Sequence, residues 1–193
     1  MGLYTVTGGT GFLGEHLVQQ LAAEGHEVRV VARGNLTTTQ HPCVKFVEGN
    51  ILDLNALKKS FKGAAGVYHL AGVVEHSQRQ KDSMIEINLQ GTLNAIEAAA
   101  EAGVRRMVYA STSGTVAVSK DEPTVPFPDD APYAREVVAN WPYYSSKLEA
   151  EERAMALAEK VLGGFLVNKA LITRPKLLSG RKKAHLAPAC IVV

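Results

Sequence analysis

The sequence predicts an α/β fold, a doubly wound parallel sheet with helices on both faces. Short apolar runs alternate with amphipathic helical patterns along the chain, as is typical of parallel strands joined by helical crossovers. The length agrees with this fold. The chain has 193 residues, 46% hydrophobic and 21% charged, which is enough for one sizeable core and too few for two ordinary domains. We therefore expect a single domain over residues 1–193.

The predicted elements follow one another in regular order. Strands are expected at residues 3–7, 27–32, 44–48, 66–70, 104–110 and 165–173, and helices at 11–24, 53–61, 82–102 and 142–162. Right-handed crossovers would bring the carboxyl ends of the strands to one edge of the sheet, where such folds bind ligands. The segment Ser119–Pro142 contains five prolines, which predicts a long loop before the last helix.

A glycine-rich turn directly after the first predicted strand carries the clearest functional signal. Gly8 and Gly11 lack the β-carbons that would hold a phosphate away from the backbone, and Gly14 lets the next helix pack closely on the sheet. The N–H groups at the start of that helix would meet an anion along a favourable dipole. We therefore predict that a dinucleotide pyrophosphate binds at Gly8, Gly11, Phe12, Leu13 and Gly14.

The turn, TGGTGFLG at 7–14, has a wider first glycine spacing than the common G-x-G-x-x-G pattern. It resembles the extended branch of the short-chain dehydrogenase/reductase superfamily, which contains nucleotide-sugar epimerases and dehydratases, dihydroflavonol reductases and hydroxysteroid dehydrogenases. The resemblance continues through HLAG at 69–72, NLQGTLNAIEAA at 88–99, VYASTSGTV at 108–116, YYSSK at 143–147 and RPKLLSG at 174–180. It implies a Rossmann-type NAD(P)-binding domain. Members of the branch usually continue beyond the last motif, so we expect most of the C-terminal substrate lobe to be truncated or absent.

The end of the second strand indicates which cofactor is preferred. An acidic residue there accepts a hydrogen bond from the adenosine ribose 2′-hydroxyl and favours NAD. This chain has Arg33 instead, and no carboxylate between Val28 and Gln40. A guanidinium can pair with a 2′-phosphate through two parallel hydrogen bonds. We therefore expect NADP(H) to be favoured over NAD(H).

The resemblance implies further cofactor contacts. Asn50 stands where the family usually has an aspartate that accepts from the adenine amino group, and Ile51 would pack on the adenine ring. The other positions carried over from the family motifs are Leu70, Ala71, Gly72 and Pro175.

A candidate catalytic set is formed by four polar residues. Tyr143 and Lys147 lie one turn apart on one face of the helix that Pro142 begins. With Ser113 at the end of the fifth strand and Asn88 in the helix before it, they resemble the superfamily's Ser–Tyr–Lys triad and its supporting asparagine. The resemblance implies that Ser113 binds the substrate oxygen and Tyr143 transfers the proton. Lys147 would hold the nicotinamide ribose and lower the pKa of Tyr143, while Asn88 would fix the local backbone or a relay water.

Some assignments in this region stay open. Ser111 and Thr112 are neighbouring hydroxyls, and an alignment error of one residue would move the role of Ser113 to Thr112. Trp141 and Tyr133 could line the substrate pocket, although loop aromatics more often anchor their loop.

Three functions fit the sequence. The leading interpretation is an NADP(H)-dependent oxidoreductase that acts on a small-molecule carbonyl or alcohol. A nucleotide-sugar epimerase or dehydratase with tightly held NAD is the second, and Arg33 counts against it. The third is a non-catalytic nucleotide-binding subunit or redox sensor, and the Ser113–Tyr143–Lys147 set counts against that.

Composition narrows the partners. A net charge of +2 gives no electrostatic reason to expect nucleic acid or membrane binding. Cys43 and Cys190 lack metal-ligand spacing, and His69 in an apolar strand is expected to be a hydrogen-bonded core imidazole, so no metal site is predicted. Met1 almost directly precedes the first strand and no apolar stretch is long enough for a membrane span, so we expect a cytoplasmic protein.

A homodimer is also expected from the resemblance. In the family, the helix after the fourth strand commonly pairs with the Tyr-x-x-x-Lys helix across a two-fold axis. The small side chains of Leu93–Ala100 would permit close helix approach, and Leu148, Met155 and Leu157 would supply apolar surface. The competing interpretation is that both helix faces simply cover the sheet.

Overall fold

The computed structural model describes residues 1–34, 41–74, 81–115, 133, 135–161 and 166–172. The strands are β1 (Leu3–Thr7), β2 (Glu27–Ala32), β3 (Val44–Glu48), β4 (Gly66–His69), β5 (Arg106–Thr112) and β6 (Leu166–Ile172). The helices are α1 (Phe12–Ala23), α2 (Leu54–Phe61), α3 (Lys81–Ile85), α4 (Gly91–Glu101), α5 (Arg135–Val138) and α6 (Pro142–Val161). A π-helical segment, Glu86–Gln90, joins α3 to α4, and a 3-10 turn, Ser113–Thr115, follows β5.

The strands form one parallel sheet in the order β3-β2-β1-β4-β5-β6. The chain builds outward from β1 to β3, then crosses back to place β4 on the other side of β1. This reversal opens a crevice at the carboxyl ends of β1 and β4, where Thr7 is paired with His69. Such a crevice is the usual ligand site of doubly wound sheets. The predicted α/β fold is confirmed.

Each face of the sheet carries its own hydrophobic core. On one face, α1 packs on β1 and β2 through Val6, Val18, Leu21, Ala22, Val28 and Val30. On the other face, α2, α4 and α6 pack on the sheet through Leu57, Phe61, Val67, Ala95, Ile96, Met107 and Ala154, among others. Strand side chains alternate between the two faces, so both faces need a helical cover. No helix in the described ranges is both long and apolar enough to cross a bilayer.

The fifth strand begins and ends two residues later than predicted. The N–H groups of Gly103 and Val104 donate to the carbonyls of Ala100 and Ala99 at 3.0 and 2.9 Å. These bonds close the end of α4, so the chain joins the sheet only at Arg106. Because β5 ends at Thr112, Ser113 directly follows the strand as the first residue of the 3-10 turn.

The helix predicted over residues 82–102 is present, but it is not a regular α-helix throughout. The N–H of Gly91 donates to the carbonyl of Glu86, five residues back, which makes the intervening turn a π-helix. Such turns are frequent at functional sites, and this one contains Asn88. The loop predicted over Ser119–Pro142 falls largely outside the described residues, but it is wrong at Arg135–Val138, which is helical.

Candidate active site

A cavity of about 320 Å³ lies at the carboxyl edge of β1, β2 and β4. Eight residues predicted to bind the cofactor line it: Gly8, Gly11, Arg33, Asn50, Ile51, Leu70, Ala71 and Gly72. Sequence reasoning missed the other lining residues: Thr10, Val31, Ala32, Gly49, Val73 and Ile87. Most of the missed residues are chain neighbours of predicted ones at the strand ends. Ile87 gave no signal, because a regular helix was expected there.

The glycine turn fits the crevice because two of its glycines cannot carry a side chain. Gly8 has a φ of +71°, and a Cβ there would lie 2.6 Å from the nitrogen of Ala71 and 2.8 Å from the carbonyl carbon of Leu70. A Cβ on Gly14 would lie 2.2 Å from the carbonyl oxygen of Gly8. Gly14 therefore allows α1 to pack closely on the glycine turn itself. The sequence had predicted that Gly14 allows close packing on the sheet.

The start of α1 keeps its backbone donors available. Gly11 is the N-cap residue and makes no side-chain capping bond, so the N–H groups of the first turn have no acceptor within the helix. Phe12, Leu13 and Gly14 do not line the cavity walls. The Phe12 side chain is 74% exposed, and its ring lies 5.0 Å from the ring of His16.

Three of the lining residues, Arg33, Asn50 and Ile51, bring a cation, an amide and an apolar side chain to the cavity. Arg33 is exposed, directly after β2. Asn50 is also exposed, and its Oδ1 accepts the N–H of Leu52 at 3.1 Å. Ile51 is held firmly, because its carbonyl accepts from Nδ2 of Asn94 at 3.0 Å and a Cβ on Gly91 would lie only 2.5 Å from its Cδ1.

Asn88 connects the cavity to the helix that carries the candidate catalytic residues. It is buried, and its Oδ1 accepts the N–H of Val73 at 2.8 Å while its Nδ2 donates to the Val73 carbonyl at 3.0 Å. The same Nδ2 lies 3.0 Å from Oγ of Ser146 on α6. A Cβ on Gly72 would lie 3.1 Å from Oδ1 of Asn88. The amide thus fixes the chain after β4 and joins it to α6.

Lys147 is buried beneath the end of β5 and is not a lining residue of the cavity. Its Nζ donates to the carbonyl of Ala110 at 2.7 Å and lies 4.3 Å from the centre of the Tyr109 ring. Burial lowers the pKa of Lys147 to about 7, and the charge of Glu151 opposes this shift. Tyr143 is half-buried one turn before Lys147 and does not line the cavity either, so neither residue of the predicted pair forms part of the cavity wall.

The three candidate hydroxyls after Ala110 have different surroundings. Ser111 donates its hydroxyl to the buried carboxylate of Glu151, so it faces α6 and is engaged. Thr112 accepts the N–H of Gly114 at 3.3 Å, and a hydroxyl that accepts can still donate. The side chain of Ser113 lies outside the described residues, as does Pro175.

Aromatic rings surround the start of α6. The Tyr144 ring lies 5.3 Å from the Tyr143 ring and 5.7 Å from the Trp141 ring, which belongs to a side chain that is 47% exposed. A Cβ on Gly114 would lie 2.0 Å from Cδ1 of Tyr144, so only glycine lets this ring rest on the turn after β5. Tyr133 hydrogen-bonds Glu151. This contact agrees with the alternative considered from the sequence, in which Tyr133 is an anchoring residue and not a pocket residue.

His69 is a hydrogen-bonded core imidazole, as predicted. Its Nδ1 lies 2.8 Å from Oγ1 of Thr7 and its Nε2 lies 3.3 Å from Oγ1 of Thr92. Thr92 donates its own proton to the carbonyl of Asn88, which leaves its oxygen to accept from Nε2 of His69. Burial, assisted by the charge of Lys147, lowers the pKa of His69 to about 3. Within the described ranges, no three His, Cys, Asp or Glu residues are grouped so as to hold a metal ion.

The six-stranded order, the glycine turn and the crevice together define a Rossmann-type fold. The sequence profile of the NAD dependent epimerase/dehydratase family matches residues 4–191. The chain therefore belongs to that family.

Relatives and solved structures agree with this membership. Human sterol-4-alpha-carboxylate 3-dehydrogenase, decarboxylating, is 31% identical over 189 residues, which are 97% of this chain and 47% of that protein. Human 3 beta-hydroxysteroid dehydrogenase type 7 is 36% identical over 174 residues, 84% of this chain and 47% of that protein. A short-chain dehydrogenase/reductase superfamily protein from Agrobacterium tumefaciens, solved with bound NAD, is 28% identical with a TM-score of 0.74, covering 88% of this chain and 48% of that one. The chain spans about half the length of these proteins.

Proposed function

We propose that the protein is an NADP(H)-dependent oxidoreductase that transfers a hydride between the nicotinamide and a small-molecule carbonyl or alcohol. The proposal depends mainly on Asn88, whose hydrogen bonds connect two parts of the structure. One part is the glycine-walled cavity with Arg33 at its edge. The other is α6 with Tyr143 and Lys147, which Asn88 ties to the cavity wall through Val73 and Ser146.

The residues of the cavity fit a dinucleotide. Gly8, Gly11 and Gly72 present backbone without side chains to the cavity, which a pyrophosphate requires for close approach. The open start of α1 offers backbone N–H donors to an anion. Arg33 would hold the 2′-phosphate of NADP(H), and Ile51 would cover the adenine. A bound nicotinamide would supply the hydride chemistry.

The roles of the remaining side chains follow from their chemistry. A carbonyl oxygen that gains charge needs a hydrogen-bond donor and then a proton. Tyr143 would supply the proton and Ser113 the hydrogen bond, with Thr112 as the neighbouring alternative. Lys147 would favour the phenolate of Tyr143 through its positive charge. Asn88 would hold α6 in a fixed position relative to the cavity.

The test of this proposal is NADPH oxidation against a panel of carbonyl compounds, preceded by the mass of any nucleotide that copurifies. Wild-type turnover with a carbonyl, absent in Tyr143→Phe, would support it. A copurifying NAD that is never released, with no net oxidation, would favour the epimerase or dehydratase alternative.

We also propose that the chain forms a homodimer, but through fewer residues than the sequence predicted. Ala95, Ile96, Ala98 and Ala99 are buried within one chain, as is Leu148 at 4% exposure, while Met155 and Leu157 pack against the core. These residues cover the sheet, as the competing interpretation held. A dimer through α4 would have to use the half-buried positions Leu93, Glu97 and Ala100.

A further inference from the structure

A fully buried carboxylate lies on the inner face of α6. Glu151 has no exposed surface and follows Lys147 by four residues, so the two side chains share one face of the helix. The roles described above use Lys147 and leave Glu151 without one. A buried carboxylate is costly unless it is paired or hydrogen-bonded, and its partners therefore indicate why it is there.

The carboxylate joins three separate parts of the chain. From β5, Ser111 donates its hydroxyl to Oε2 of Glu151. Before α5, the hydroxyl of Tyr133 hydrogen-bonds the same carboxylate. Burial, then the charge of Glu151 and this hydrogen bond, raise the pKa of Tyr133 to about 12. The contacts hold the end of β5, the Tyr133 segment and α6 against one another.

Lys147 is buried on the same face of α6 as Glu151. It is 5% exposed, and apart from Glu151 its stabilising contacts are the Ala110 carbonyl at 2.7 Å and the Tyr109 ring at 4.3 Å. Both contacts are weaker partners for an ammonium than a carboxylate in a low-dielectric site. Its low pKa shows that the two contacts and Glu151 together only partly offset the burial.

Other titratable groups act on this pair from β4, β5, the segment before α5, α5 and α6 itself. Their charges couple to Glu151 or Lys147 directly or through one another: Tyr109 on β5, His69 on β4, Tyr143 on α6, Tyr133, and Arg135 on α5. Arg135 also pairs with Glu152 on the outer face of α6. None of these groups is a carboxylate. Among the side chains named here, Glu151 is therefore the buried source of negative charge near Lys147.

We propose that Glu151 is a positioning residue of the active site: its carboxylate supplies the negative charge opposite the Lys147 ammonium and holds the end of β5 and Tyr133 against α6. The catalytic part of this inference rests on the proposed function, because it assumes that Lys147 acts on Tyr143 and the cofactor. The electrostatic part does not. Loss of the carboxylate charge leaves Lys147 buried with only neutral partners, so a larger fraction of Lys147 is neutral at pH 7.

The test compares Glu151→Gln with Glu149→Gln in the full chain. Both variants remove one carboxylate charge from α6, but Glu149 is 43% exposed at its side chain and pairs with Arg153. With isotopically labelled lysine, the Lys147 side-chain resonance is followed against pH and assigned by its loss in Lys147→Arg. We expect its titration midpoint to fall by about one to three pH units in Glu151→Gln and to stay within about 0.3 unit of wild type in Glu149→Gln.

Activity gives a second readout. With the substrate found for the wild type, the limb of the kcat/KM profile that follows Lys147 should move by the same amount in Glu151→Gln and not in Glu149→Gln. An unchanged Lys147 midpoint in Glu151→Gln would overturn the proposal, even if the variant were less stable. If Glu151→Gln does not fold, the same titration on Glu151→Met, an unbranched apolar side chain, decides it. Absence of wild-type turnover would count against the proposed function alone, because the resonance titration needs no substrate.

Discussion

Replacing Gly8 by alanine tests whether the glycine turn shapes the cofactor cavity. Gly8 and Gly103 have nearly the same backbone conformation, with φ of +71° and +69°. A Cβ at either position costs about 1–2 kcal/mol in this left-handed region. They differ in their surroundings. A Cβ on Gly8 meets the backbone of Leu70 and Ala71 within 2.8 Å, whereas nothing lies within 4 Å of a Cβ on Gly103.

The difference between the two variants therefore isolates the contact between the turn and the backbone that directly follows β4. Backbone atoms can yield only by moving the turn away from the strand end, and overpacking of this kind costs about 1–3 kcal/mol more. We expect Gly103→Ala to lose about 1–2 kcal/mol of unfolding free energy and Gly8→Ala to lose about 2–5 kcal/mol, both measured by urea denaturation. Dinucleotide affinity, measured by calorimetry, should fall at least about tenfold in Gly8→Ala alone, or about 1.4 kcal/mol. Equal losses of stability in the two variants, together with wild-type dinucleotide affinity in Gly8→Ala, would show that Gly8 does not shape the cavity.

Four further predictions concern the cofactor preference, the proton donor, the buried histidine and the dimer. Arg33→Asp should abolish the preference for NADP(H), at a cost of about 1.5–3 kcal/mol in NADP(H) binding; an unchanged preference in paired titrations would remove Arg33 from the site. Tyr143→Phe should keep cofactor affinity and lose turnover, and steady-state rates like those of the wild type would exclude Tyr143 from proton transfer. The folded pKa of His69, about 3, lies below its unfolded value of 6.5, so the unfolded chain takes up the proton first. Stability from this group is complete above pH 6.5 and falls by about 1.4 kcal/mol per pH unit below it, a slope that His69→Gln should lack in denaturation series at several pH values. Sedimentation equilibrium at micromolar concentration should give a dimer that Leu93→Glu dissociates, and a monomeric wild type would contradict the dimer.

The cofactor half of the site could be predicted from the sequence because its requirements are local. A positive φ at Gly8, a close approach at Gly14 and a cation after β2 each depend on residue type and chain position. The parallel fold then brings separate strand ends to one edge, which explains why eight lining residues were predicted from strand positions and family motifs.

The rest depends on tertiary packing that periodicity does not encode. The predicted bounds of β5 were two residues too early because α4 closes through Gly103 and Val104 before the strand can begin. The π-helical turn around Asn88 depends on a bond between Gly91 and Glu86 that a regular helical pattern does not reveal. Glu151 resembles any charged residue of a surface helix in the sequence, and its burial becomes apparent only when β5 and α6 are packed together.

Calorimetric titration of the wild-type chain with NADPH and with NADH measures whether the cavity binds a dinucleotide and which one it prefers. We expect saturable binding of one dinucleotide per chain, with NADPH bound more tightly because Arg33 lines the cavity directly after β2. No saturable binding of either dinucleotide would contradict the assignment of the cavity, and tighter binding of NADH would contradict the role given to Arg33.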